Sequence, residues 1–119
     1  MFMKALFSLL LAAAGSAMAS EPGYTLRIDS SVDGRQLSVV PRIAAPAGAR
    51  LRYEMVSSKQ GSAGKSSTSQ SGNVSVGADG SATLSTLKLG VNPQDKYVIT
   101  VRVFDGAKVV AEEVLQYPQ

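Results

Sequence analysis

Beyond residue 20, apolar and polar residues alternate with a period of two over most of the chain, the pattern of strands with one buried face. The longest example is Lys96 to Phe104, with Tyr97, Ile99, Val101 and Val103 on one side and Lys96, Thr100 and Arg102 on the other. It reads as a central strand. Asp105-Gly106 follows, a pair that tolerates the positive φ of a tight turn, and Val109 to Leu115 then returns alongside as the second arm of a hairpin.

Earlier in the chain, apolar Tyr24, Leu26 and Ile28 define one strand, and Asp33-Gly34 turns it into Leu37 to Val40. Pro41 lacks a ladder donor, so this second strand is expected to end there or to lie on an edge. Ala44 to Gly48 is a loop, and Ala49 to Val56 a strand with Leu51, Tyr53 and Met55 inward and Arg50, Arg52 and Glu54 outward. From Ser57 to Gly72 the chain holds Ser, Gly, Gln and Lys and no large apolar residue. Exposure and mobility are expected around Gly61 to Gly64, and Lys65 to Gln70 fits a polar edge strand better than a linker, there being no second domain to join. Val74 and Val76 resume the alternation, Asp79-Gly80 turns, and Ala82 with Leu84 opens a further strand. At Thr86 the phase slips, and Leu87 and Leu89 fall on the other parity, which predicts a β-bulge or a change of sheet.

These runs make about seven short antiparallel strands and no helical period, so the fold class is all-β. An immunoglobulin-like β-sandwich of two sheets fits best, with a small closed barrel as the alternative.

The first residues are of another kind. Lys4 precedes an apolar segment, Ala5 to Ala14, and the small-residue site Ala17-Met18-Ala19. That order predicts a secretory signal over residues 1–19, a mature chain starting at Ser20, one domain over residues 20–119, and a periplasmic location. The apolar run is shorter than the roughly 20 residues of a spanning helix, and no later stretch approaches that length. Losing Lys4 would leave 11 basic and 9 acidic residues, a net charge of +2. So mild a charge argues against a nucleic-acid partner.

Histidine and cysteine are both absent, which removes the usual proton shuttle, thiolate chemistry and the commonest metal ligands. Ser66, Ser67, Ser69 and Ser71 have no base to activate them, since Lys65 in so polar a context keeps its charge. Asp95 and Asp105 are explained by their loops, and with Glu112 and Glu113 they form no spaced run of oxygen ligands. The chain is therefore expected to be no enzyme and to need no metal or cofactor. What remains is a basic span, Arg42, Arg50, Arg52, Lys59 and Lys65, offset within it only by Glu54. Alternation puts Arg50 and Arg52 side by side, and pairing of this strand with the central one would add Lys96 and Arg102 to a surface suited to an acidic or polar chain.

Several segments from Ala49 to Pro118 together resemble the curli assembly family of CsgC- and CsgH-like proteins. They are Arg52 on the third strand, Gly61-Ser62-Ala63-Gly64 before a Ser/Thr/Gln segment, Leu87 and Leu89 before Asn92-Pro93-Gln94-Asp95, the run to Asp105-Gly106, and Gln116-Tyr117-Pro118. CsgC-type members carry a Cys-X-Cys pair where this chain has Ala49 and Leu51, so a redox role through that pair cannot operate here. In lacking it, the chain is more similar to the CsgH branch. The resemblance implies a small periplasmic, immunoglobulin-like protein that inhibits amyloid assembly by curli subunits through a positive sheet surface, without ATP or a cofactor. The expected client-binding residues are Arg50, Arg52, Lys59, Lys65, Lys96 and Arg102; the expected partner is the curli major subunit, with no membrane and a monomeric chain. The alternative is a structural or adhesive β-sandwich that binds a surface polymer.

Overall fold

The computed structural model describes residues 17–118, with side chains from residue 20 to residue 118. The segment Lys4 to Ala14 of the expected signal lies outside the described residues. Nine strands occur among those described: β1 (Ala17–Ser20), β2 (Thr25–Asp33), β3 (Gln36–Ala44), β4 (Arg50–Gly61), β5 (Gly64–Ser75), β6 (Ser81–Thr83), β7 (Leu87–Gly90), β8 (Lys96–Asp105) and β9 (Lys108–Tyr117). They form two antiparallel sheets, one ordered β1-β9-β8-β4-β5, the other β2-β3-β6 with β7 also on β3. The sheets stay separate, so the sandwich expectation holds over the closed barrel.

The alternation read from the sequence sets what is buried. Tyr97, Ile99, Val101 and Val103 of β8 meet Leu51, Tyr53 and Met55 of β4 on the inner side of one sheet, and Leu37, Val39 and Ile43 of β3 close the core from the other. Strand β8 lies between β4 and β9, as a central strand should. Its hairpin with β9 closes through Asp105↔Lys108, and that of β2 with β3 through Asp33↔Gln36. In each the first loop residue is a glycine with positive φ, 63° at Gly106 and 62° at Gly34, where a side chain would be strained.

Three expectations need correction. Strand β3 neither ends at Pro41 nor lies on an edge: Pro41 is buried and pairs with Ile28 on β2, and β6 and β7 cover the other side. Leu84 N–H donates to the Pro41 carbonyl at 2.9 Å, so the ring nitrogen also faces the gap between β6 and β7, where no ladder acceptor is left waiting. The phase slip at Thr86 is that same gap. It is neither a bulge nor a change of sheet, because Ala82 pairs with Ile43 and Leu89 with Leu37 of the one strand β3. Finally, the segment after Ser57 is regular. Strands β4 and β5 pair without a break from Arg50↔Ser75 to Gly61↔Gly64, so Ser57 to Gly61 is strand and only Ser62 and Ala63 form the loop. The expected edge position of β5 is confirmed, and the strand is longer than Lys65 to Gln70.

Candidate functional site: the outer face of the five-stranded sheet

In an antiparallel sheet, residues opposite one another share a face, so pairing fixes rows of outward side chains. Along β4 the outward residues are Arg50, Arg52, Glu54, Val56, Ser58 and Gln60. Their β5 partners are Ser75, Asn73, Ser71, Ser69, Ser67 and Lys65. On the other side, Arg52 faces Phe104, Glu54 faces Arg102, Ser58 faces Val98 and Gln60 faces Lys96, with Glu112 continuing the Arg102 row onto β9. Arginines thus stand at one end of the face and lysines at the other, with hydroxyls and exposed valines between; Val56 and Val98 are 38% and 42% exposed.

Of the six residues expected to bind a client, Arg50, Arg52, Lys65, Lys96 and Arg102 share this face. Their charges are not equally free. Arg52 Nη1 donates to Glu54 Oε2 at 2.9 Å, and its guanidinium carbon lies 4.1 Å from the centre of the Phe104 ring. That contact combines an exposed ion pair with a cation–π stack, and both hold the side chain flat on the sheet. Arg102 Nε donates to the Glu112 carboxylate, and that hydrogen bond raises the already high Arg102 pKa. Arg50, Lys65 and Lys96 have no carboxylate within ion-pair distance among the described residues. They carry the net positive charge of the face.

Lys59 has the other parity. It pairs with buried Tyr97, and its Nζ lies 3.4 Å from Oδ2 of Asp95, a carboxylate only 5% exposed. Asp95 Oδ2 also accepts the Asn92 backbone N–H at 3.1 Å. Lys59 is thereby tied to the loop before β8, although it still reaches an open cavity of 560 Å³ at the lysine end, lined with Gln60, Lys65, Lys96, Val98 and Tyr117 among others. Arg42, counted with the basic span in the sequence, is on the other sheet, where Asp29 holds it at 2.9 Å. Sequence reasoning missed Phe104. Its parity, opposite to Tyr97 and Val103, was the available sign that an aromatic ring stands beside the arginines.

By class the chain is an antiparallel β-sandwich with one sheet face on which Arg50, Lys65 and Lys96 are unpaired among the described residues. Residues 15–114 match the family described as thin aggregative fimbriae synthesis protein, Tafi-CsgC, and the chain belongs to that family. It is 29% identical over 81 residues to curli assembly protein CsgC of Escherichia coli O1:K1 and of strain K12, covering 68% of this chain and 74% of each relative. Among solved structures it is similar to E. coli curli protein CsgC, with a TM-score of 0.64 and 25% identity over 81% of this chain and 99% of that one. R. palustris CsgH shares the fold, at a TM-score of 0.59 and 20% identity over 78% of this chain and 87% of that one. The expected likeness was to the CsgH branch, but by both TM-score and identity CsgC is the more similar of these two structures. Membership places the chain in curli assembly.

Proposed function

We propose that the chain is a periplasmic, chaperone-like inhibitor that delays amyloid formation by the curli major subunit, holding the unfolded or early-aggregating subunit on the outer face of the five-stranded sheet. The observation that carries this reading is the set of three cations, Arg50, Lys65 and Lys96, unpaired among the described residues, at the two ends of a regular sheet face in a member of a curli assembly family. Such charges raise the encounter rate with an acidic or polar chain, and transient contacts then compete with the strand stacking that nucleates cross-β structure. The protein acts as a monomer by binding alone. It needs no catalysis, cofactor, nucleic acid or membrane.

The test reverses charge where no ion pair is broken. Arg50→Glu with Lys96→Glu changes the face by four units and leaves Arg52 on Glu54 and Phe104, so cooperative unfolding should persist. Thioflavin fluorescence of a purified curli subunit should then show a much shorter lag with the variant than with the wild type. Added salt should weaken the wild-type effect, because exposed charges are screened beyond about 8 Å at physiological ionic strength. An inhibitor-free control is run at each ionic strength. A folded double variant as active as the wild type removes the basic face from the mechanism.

A further inference from the structure

The four long boundaries of the two sheets differ in how they are guarded. Strand β2 carries Arg27, Asp29 and Asp33; β6 and β7 are only 3 and 4 residues long; β1, the boundary beside β9, is only 4 residues long and pairs irregularly between Ala17 and Ser20. Charges, shortness and bulges are the usual devices that stop a sheet from adding another strand. Strand β5 has almost none of them. It runs 12 residues with no proline, no irregularity and one charge, Lys65, near its start.

Its free hydrogen-bonding groups follow from the phase of the hairpin. Val76 N–H donates to the Ala49 carbonyl at 2.9 Å, which marks 49/76 as a pair bonded across the β4–β5 ladder. Pairs two residues along share that state, down to Gly61/Gly64 beside the two-residue loop. The alternate residues Lys65, Ser67, Ser69, Ser71, Asn73 and Ser75 therefore direct their N–H and C=O groups away from β4, and the same six residues have their side chains on the cationic face.

We infer that the open side of β5 is a strand-addition site, where an extended, net acidic segment of the client, neutral and polar in its middle, pairs with Lys65 to Ser75 and continues the sheet. The inference rests on the client-binding reading. Charge selects the occupant: Lys65 stands at one end of β5 and Arg50 on the adjacent strand at the other, while the residues between offer only hydroxyl and amide groups. Main-chain bonds would supply affinity without regard to sequence, and the flanking cations the preference for acidic ends. A client strand bound there has one of its own two edges occupied by a soluble, folded protein.

Backbone amide exchange with and without freshly prepared monomeric curli subunit tests this. Protection should appear at Ser67, Ser69 and Ser71, whose N–H groups have no backbone partner among the described residues. Ser69→Pro removes one of these donors without touching the β4 ladder, and it should weaken binding by about tenfold, the value of roughly one lost hydrogen bond. If that variant fails to fold, the exchange measurement on the wild type still decides. Unchanged exchange along β5, with binding abolished by Arg50→Glu and Lys96→Glu, overturns the strand-addition site and leaves the basic-face reading standing. Loss of neither binding nor inhibition in either folded variant overturns both. Dimers of the wild type that Ser69→Pro dissolves would assign the edge to a second copy of this chain and overturn the client assignment.

Discussion

Glu113 shows how one side chain can set the pH response of the sandwich. It pairs with Val101, so it faces the inner side of the sheet between Ala111 and Leu115, and desolvation there raises its pKa above the ordinary carboxylate range. A raised folded-state pKa means that the fold favours the protonated form. The contribution to stability is full below the unfolded value of about 4.3 and is lost as pH rises through the folded value. At neutral pH the ionised group is thus a cost of the fold. Glu113→Gln should raise the thermal midpoint at pH 7 relative to wild type, and the gain should vanish below about pH 4, where both side chains are neutral. Equal midpoints at neutral pH would show that Glu113 is as well solvated folded as unfolded. The same inward carboxylate was visible in the sequence only as one of two adjacent acids. Its direction depended on the bulge beside Val103, which periodicity does not reveal.

Among the elements, the β4–β5 hairpin was the least legible from sequence and is the most regular in the structure. Apolar alternation identifies a strand by what it buries, and beyond Met55 this hairpin covers little core: Ser57 is buried, but Ser58 to Gln70 contribute no large apolar side chain. Backbone pairing with an apolar, well-packed β8 carries the strand onward, and composition contains no sign of that. Contacts at two glycines fix its geometry. A Cβ on Gly72 would lie 3.0 Å from the ring of Tyr53, its pairing partner, so the aromatic side chain covers the glycine backbone. At the far end a Cβ on Gly61 would lie 2.3 Å from Asp95 Oδ1, in the loop that Lys59 and Asn92 also hold. Gly61→Ala should therefore displace the Asp95 carboxylate and destabilise the fold by about 1–3 kcal/mol, the usual range for overpacking. Gly90→Ala, with open space around its Cβ, is the control for glycine replacement in a strand. Chemical denaturation of the two variants separates the cases, and equal midpoints would mean that the Asp95 loop yields without cost.

For the whole molecule, the inward residues of β4 and β8 could be named from alternation alone, whereas Pro41 obscured those of β3, and the three strands together account for most of the core. The composition of the outer face was also readable, because parity on β4 and β8 places Arg50, Arg52, Lys96 and Arg102 together once those strands pair. Which of its cations are free was not readable. That depends on cross-strand neighbours such as Glu112, on same-strand Glu54, and on the loop that brings Asp95 under Lys59. The N-terminus raises a question at the same scale, since the expected cleavage after Ala19 would remove most of β1, whose backbone pairs with β9 from Ala17↔Glu113 to Ser20↔Ala111. The core does not depend on it: every buried apolar residue among those described falls between Leu26 and Leu115. Two contacts that hold the start of the chain also survive cleavage, Glu21 N–H to the Val110 carbonyl at 2.8 Å and Glu21 to Lys108 at 3.0 Å. Protein recovered from the periplasm should accordingly have the mass of residues 20–119. Its thermal midpoint should fall within about 5 °C of a chain beginning at Ala17, as a change of roughly 1 kcal/mol in a domain of this size implies. A Ser20 chain that no longer unfolds cooperatively would show that β1 belongs to the mature fold and that processing occurs elsewhere.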